Sequence, residues 1–372
     1  VNASSPHFYR KQALALGRDA DVVKKALEVD RQLRSAGVEP VFTLKHLAQR
    51  TGVSWHYLRE IIGRGRDPYL DISRPKGDDR TRRISSPEPV LMDVQRWILR
   101  NILCACQVHP SSYAYQAGRS ILDCAEAHLG ANWLVKLDLH DFFDSVPERR
   151  VYTVFRKFGY PRLLSLELSR LCTRQGWPEA TSLQDLERYQ AAPYPIRSEG
   201  RLPQGAPTSG MLANVAMFEA DTKLEALAQI HGMVYTRYSD DLTFSAIDFS
   251  RERAQNLMRE VAAVVNPAGF SLHRAKTRVV PPGARHIVLG LLLTDDRVRL
   301  LPEFKRRLEV HIRGVAKFGL VEHAGWRHFE SVLSMINHVD GCISFAESIE
   351  GEFAAKMRLA WSDALAEHGY VG

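Results

Sequence analysis

At 372 residues the chain is long enough for two or three packed lobes around an extended core, which excludes a small binding module. Its 45% hydrophobic and 25% charged residues describe an ordered protein rather than a disordered one. The net charge of +7, gathered in runs such as Arg80-Thr81-Arg82-Arg83 and Lys305-Arg306-Arg307, favours a polyanionic partner.

The five cysteines, Cys104, Cys106, Cys124, Cys172 and Cys342, are odd in number and scattered, so they read as buried thiols in a reducing compartment. Cys104 and Cys106 with His109 lack the second half of a zinc site. No stretch approaches the roughly 18 apolar residues of a membrane span, and Val1 to Arg10 has no apolar signal core. A cytoplasmic protein without membrane contact is expected.

In chain order, residues 12 to 36 predict a charged amphipathic helix, with Leu14, Val22, Val23, Ala26, Leu27 and Leu33 recurring at helical spacing. A second and third helix follow between Thr43 and Ile62, with Thr43 and Ser54 as N-caps and Gly52 as a stop. This pair has a helix-turn-helix shape, and two short helices packed on a neighbour is the simpler reading than a major-groove reader. Tyr69 to Pro87 is strand-like and basic, and Leu91 to Cys106 predicts an amphipathic helix around Val94, Trp97, Ile98, Ile102 and Leu103. The central third alternates: a strand from Trp133 to Leu139, then Arg149 to Phe158, then a helix near Leu163 to Leu171. Residues 175 to 200, rich in Pro, Gln, Ser and Glu, read as an inserted surface loop. After Leu301 the pattern is helical to the end, so the fold class is α+β.

The chemistry lies in two acidic elements. Leu134-Val135-Lys136-Leu137-Asp138 is an apolar strand that ends in an acid, and a buried carboxylate is costly without a cation. Met233 to Ser245 reads as a hairpin with Asp240 and Asp241 at its tip. Three neighbouring carboxylates repel, and divalent cations supply the compensation. Two magnesium ions serve in-line phosphoryl transfer, one activating the attacking hydroxyl and one neutralising the leaving group. Either piece alone would read as a solvated turn or a helix cap.

Taken together and in order, these pieces resemble bacterial reverse transcriptases of the retron type. Leu202-Pro203-Gln204-Gly205-Ala206-Pro207-Thr208-Ser209 is similar to the family's motif before the acidic hairpin, and Tyr238-Ser239-Asp240-Asp241 to its Tyr-X-Asp-Asp turn. The resemblance implies a right-hand polymerase: N-terminal helices (1–68), fingers (69–132), a palm of antiparallel sheet and helices (133–295) and a helical thumb (296–372). It implies two Mg2+ ions on Asp138, the Leu139 carbonyl, Asp240 and Asp241, and a leaving-group lysine at Lys276. Phe143 is expected as the steric gate against a ribose 2′-hydroxyl, Gln204 as the prop of the nascent base pair, and Lys76, Arg80 and Arg82 as triphosphate contacts. Arg119 matches a template-side contact, and Tyr238 is expected to touch nucleic acid.

Retron markers match in part. The Asn-Ala-X-X-His pattern appears as Cys124-Ala125-Glu126-Ala127-His128 and Val-Thr-Gly as Val288-Leu289-Gly290, so His128, Val288 and Gly290 are the expected RNA-side residues. Gly210 stands where proline commonly follows Thr-Ser. The implied partners are a structured noncoding RNA serving as template and primer, its branched DNA product (msDNA), deoxynucleoside triphosphates and a separate effector protein in anti-phage defence. No ribonuclease H or nuclease domain is expected after the helical lobe. Rival readings are a non-retron defence reverse transcriptase, an RNA-templated RNA polymerase, which Phe143 argues against, and a non-catalytic RNA-binding scaffold, which would not need the whole constellation.

Overall fold

The structure, a computed structural model, describes residues 6–76, 80–175 and 199–370, with backbone alone at residues 6–9, 74–76 and 80–82. The side chains of Lys76, Arg80 and Arg82, and the expected loop apart from its ends, lie outside the described residues.

Helices α1 (Pro6–Ala15) and α2 (Ala20–Ser35) open the chain, α2 capped by the Asp19 carboxylate on the amides of Asp21 and Val22. In α3 (Leu44–Thr51) Thr43 Oγ1 accepts from the His46 amide at 3.2 Å, and Gly52 ends the helix with φ +69°. Ser54 precedes α4 (Trp55–Ile62) without a side-chain cap, unlike the sequence expectation. Leu44, Leu47, Leu58, Ile61 and Ile62 are buried in the main core, so this helix pair spends its apolar faces on packing.

Strands β1 (Tyr69–Lys76) and β2 (Arg80–Pro87) pair antiparallel as a basic hairpin. Helix α5 (Pro89–Asn101) stops five residues earlier than its apolar pattern suggested, because the Asn101 carbonyl accepts from the Glu39 amide at 2.9 Å instead of extending the helix. A short capped helix, α6 (Ile121–Glu126), leads into the central sheet.

That sheet has the order β4 (Val234–Tyr238), β5 (Asp241–Ala246), β3 (Trp133–Asp138), β6 (Arg278–Val280), with every pairing antiparallel. Helices α7 (Glu148–Phe158), α8 (Arg162–Cys172), α9 (Ser209–Ile230) and α10 (Arg251–Val265) contribute to the same core, in which Leu137, Phe155, Leu212, Met217, Phe244 and Leu257 are buried. A second sheet of three short strands, β7 (Ile287–Val288), β8 (Leu291–Leu293) and β9 (Val298–Leu300), follows. Helices α11 (Pro302–Phe318), α12 (Leu320–Trp326), α13 (Val332–Glu347) and α14 (Gly351–Glu367) close the chain around their own core of Leu308, Ile312, Met335, Val339 and Trp361. Among the described residues no helix is long and apolar enough to cross a membrane.

Candidate active site

The register of the central sheet assembles the acidic group. Leu134, Val135 and Leu137 are buried along β3, which anchors the strand and delivers Asp138 to its end, only 6% exposed. Asp138 pairs directly across from Asp241. On the other side Tyr238 opposes Asp241, leaving Ser239 and Asp240 as a two-residue turn. The Asp240 carbonyl accepts from the Leu139 amide at 2.9 Å, tying the turn back to the end of β3.

Burial pushes the Asp241 carboxyl up to about 6, and the charges of Asp240 and Asp138 push the same way against Lys136 and Lys276. Lys276, in a 3-10 turn at Arg274–Lys276, donates from Nζ to both oxygens of Asp138 at 2.6 and 2.7 Å. Lys276 therefore engages the most buried carboxylate, Asp138, while Asp240 and Asp241 still repel. This excess of negative charge on hard oxygen donors fits divalent magnesium. Both Asp138 oxygens are engaged by Lys276, and among the described residues no three His, Cys, Asp or Glu side chains already converge as a metal cluster.

Ser239 holds φ +60°, a left-handed conformation costing a residue with a Cβ about 1–2 kcal/mol. The surroundings over-determine it. Arg237, wholly buried, donates from Nη1 to the Ser239 carbonyl at 3.0 Å and to Asn214 Oδ1 at 3.0 Å. Its Nε and Nη2 grip Asp221 of α9 at 2.8 and 2.7 Å, and the Tyr235 hydroxyl adds a third bond to Asp221 at 2.8 Å. The Tyr115 hydroxyl meets Ser239 Oγ at 3.0 Å. Arg237, Asp221, Asn214 and Tyr115 did not emerge from sequence reasoning. The available signal was Asn214 and Asp221 falling on the stripe of α9 that also carries the buried Met217, Leu224 and Ala228.

Beside the acids, Phe142 and Phe143 divide their roles by burial. Phe142 is in the core against Phe270 and beneath Arg237, whereas Phe143 is only partly buried and meets the Tyr115 ring edge-to-face at 6.0 Å. The loop carrying Gln204 is held by the basic hairpin: the Ser85 amide donates to the Gln204 carbonyl at 2.7 Å. Gly205 follows with φ +119°, and a Cβ there would lie 2.8 Å from the Ile84 side chain and 2.9 Å from the Ser85 carbonyl, so glycine is required. The Gln204 side chain is half-buried.

The remaining expected residues are dispersed. Arg119 is exposed and lies 4.8 Å above the Tyr113 ring, and Tyr238 is half-buried at the base of the acidic turn. His128 is 1% exposed, with Nδ1 on Ser245 Oγ and Nε2 on Thr236 Oγ, both at 2.7 Å. Both ring nitrogens are thus engaged in the interior, where they tie the segment after α6 to β4 and β5. The Val288 side chain is likewise fully buried, which leaves only backbone for an RNA contact there. Leu289 and Gly290 form the two-residue turn between β7 and β8, with φ +50° and +80°.

Comparison with known proteins bears on this geometry. The family model described as reverse transcriptase (RNA-dependent DNA polymerase) matches residues 74–301. The chain is similar to the retron Mx162 reverse transcriptase of Myxococcus xanthus, 37% identical over 276 residues, covering 71% of this chain and 56% of that protein. The retron Ec86 reverse transcriptase of Escherichia coli is 28% identical over 86% of this chain and 89% of its own length. The retron Mx65 reverse transcriptase of Myxococcus xanthus is 30% identical over 90% of this chain and 75% of its own.

Proposed function

The chain belongs to the retron family of reverse transcriptases, and on that premise we propose that it copies a cognate structured noncoding RNA into DNA, leaving a branched RNA–DNA product in anti-phage defence. The observation that carries this reading is the direct pairing of Asp138 with Asp241 beside the Ser239–Asp240 turn. Asp138, Asp240, Asp241 and the Leu139 carbonyl would hold two Mg2+ ions. Those ions would supply activation of the primer hydroxyl and charge neutralisation at the leaving pyrophosphate.

The chain's own residues do the rest. Lys276 places its Nζ at the edge of the acidic group and is assigned as the donor for the leaving oxygen. Phe143 fills the place of a ribose 2′-hydroxyl, and Gln204, on a loop fixed to β2, supports the nascent pair. Lys76, Arg80 and Arg82 on the basic hairpin are assigned to the incoming triphosphate, charges suited to phosphate oxygens. Arg119 and Tyr238 are assigned to template and primer, and the backbone of the Val288–Gly290 turn to RNA. In this reading the basic hairpin is the fingers, the central sheet the palm and α11 to α14 the thumb. The duplex is gripped mainly through phosphates, so affinity falls steeply with salt. A separate effector protein would carry any toxic output.

Purified protein is expected to extend a DNA primer on RNA with deoxynucleotides and magnesium. Asp240→Asn is expected to reduce extension to background, and equal incorporation by both proteins would refute the site assignment. Sequencing of copurifying nucleic acid, with a test for a 2′–5′ branch, checks the retron product.

A further inference from the structure

Tyr115 is an exposed aromatic residue held where an exposed aromatic gains little by itself. It is 50% exposed, and its backbone takes φ +60°, a region that L side chains rarely adopt. Three contacts converge on it. The hydroxyl meets Ser239 Oγ at 3.0 Å, on the first residue of the acidic turn. The Tyr115 and Phe143 rings meet edge-to-face at a centroid distance of 6.0 Å and an angle of 60°. The third contact is the backbone of α9, at Gly210.

Gly210 lies in the first turn of α9, directly against the Tyr115 ring. Its presence has a steric cause. A Cβ at 210 would lie 2.4 Å from Tyr115 Cγ and 2.6 Å from Cδ1, closer than real carbon contacts allow. The proline common at this place in the family would bring such a Cβ into the ring. Tyr115 and Gly210 therefore form a matched pair.

We propose that Tyr115 is a positioning residue for sugar selection: it braces Phe143 and the Ser239–Asp240 turn in one arrangement, and Gly210 is the space that admits its ring. The inference rests on the reading of Phe143 as the gate. A gate excludes a 2′-hydroxyl only while its ring is kept from swinging aside, and among the described residues the ring contacts of Phe143 are with the core residue Phe142 and with the exposed Tyr115. The hydroxyl couples the same brace to the turn bearing Asp240.

The test is single-nucleotide incorporation of deoxynucleotides and ribonucleotides on an RNA template by the full chain. Tyr115→Gly removes the ring and keeps the left-handed backbone free of strain. It should lose about two- to ten-fold in sugar discrimination, the size of one edge-to-face aromatic contact. Tyr115→Phe should keep the discrimination and slow incorporation about two- to ten-fold, the size of one hydrogen bond. Adding Tyr115→Gly to Phe143→Ala should cost no further discrimination, because the brace then has nothing to hold. Unchanged discrimination in Tyr115→Gly, or losses that add in full, would overturn the proposal while the polymerase reading stands. If the wild type incorporates no deoxynucleotide, that reading fails and the selectivity claim falls with it.

A thermal unfolding cycle judges the packing without activity. Gly210→Ala should lower Tm in the wild-type background and be tolerated in the Tyr115→Gly background. Equal damage in both backgrounds would show that the ring does not occupy this space.

Discussion

Two hairpin turns in this protein share a geometry and differ in everything that surrounds them. The β4–β5 turn at Ser239–Asp240 and the β7–β8 turn at Leu289–Gly290 each have two residues, and each places a residue with a Cβ at positive φ in its first position. Both drew attention through short family patterns. The first is secured by wholly buried Arg237, its double bond to Asp221 and the Tyr115 hydroxyl, and it faces two further carboxylates. The second is flanked by the buried Val288 and Leu291 and by the partly buried Leu289 in an apolar cluster with Leu300 and Ala346. A turn held by a polar network keeps its carbonyls and carboxylates aimed, whereas one held by apolar packing keeps only its shape. On the proposed reading the first turn is the one that serves the chemistry.

The difference can be broken at its root. Arg237→Met leaves Asp221 buried with only the Tyr235 hydroxyl, and the loss of one partner of a buried pair costs about 3–5 kcal/mol. Denaturant unfolding should show this as a large drop in midpoint, together with loss of primer extension. Arg237→Met with Asp221→Leu should recover only part of the stability, since the Tyr235 hydroxyl then loses its acceptor, and none of the activity, since the Ser239 carbonyl still lacks its donor. Recovery of both would mean that the network supports folding alone.

The base of the same hairpin offers a second, smaller test. Burial pushes the His128 imidazole down to about 4. Its folded value lies below the unfolded one of 6.5, so the native state resists a proton that the unfolded chain accepts. Stability is then full above pH 6.5 and is lost as pH falls toward 4, by about 3 kcal/mol at the lower end. Urea midpoints measured across this window should fall in the wild type and flatten in His128→Gln. An identical acid slope in both proteins would remove His128 as the cause.

How much of this was readable beforehand depended on how local the cause was. Asp138, Asp240 and Asp241 were legible because acids at the ends of apolar runs are costly unless a cation compensates them. The basic hairpin, the capped α3 and the closing helices followed from local pattern and turn chemistry. Helix α9 escaped because its first half, Met211, Leu212, Ala213, Val215, Ala216 and Met217, is apolar nearly all round and hides the stripe on which Asn214 and Asp221 fall. Strands β7 to β9 escaped because two or three residues cannot display alternation. Tyr115 was invisible for a different reason: its partner Ser239 is 124 positions away, and only the folded backbone brings them together. The interior partners of His128, Ser245 and Thr236, were equally invisible, lying more than a hundred positions away in the chain.

The smallest effect probes the second turn. Leu289 at φ +50° carries the left-handed penalty, among the described residues no side-chain hydrogen bond reaches its turn as Arg237 and Tyr115 reach Ser239, and asparagine tolerates that conformation far better. Leu289→Asn gives up part of an apolar contact in exchange, so the net gain should be modest, about 0.5 kcal/mol, or about one degree in Tm for a chain of this size. The matching change in the acidic turn, Ser239→Gly, also relieves strain but breaks the bond to Tyr115, so its stability should barely move while primer extension slows. A turn that tolerates relief of its strain and one that loses function by it are then separated by measurement. If Leu289→Asn slowed extension as much as Ser239→Gly does, the second turn would belong to the working surface as well, and apolar packing would not be its only role.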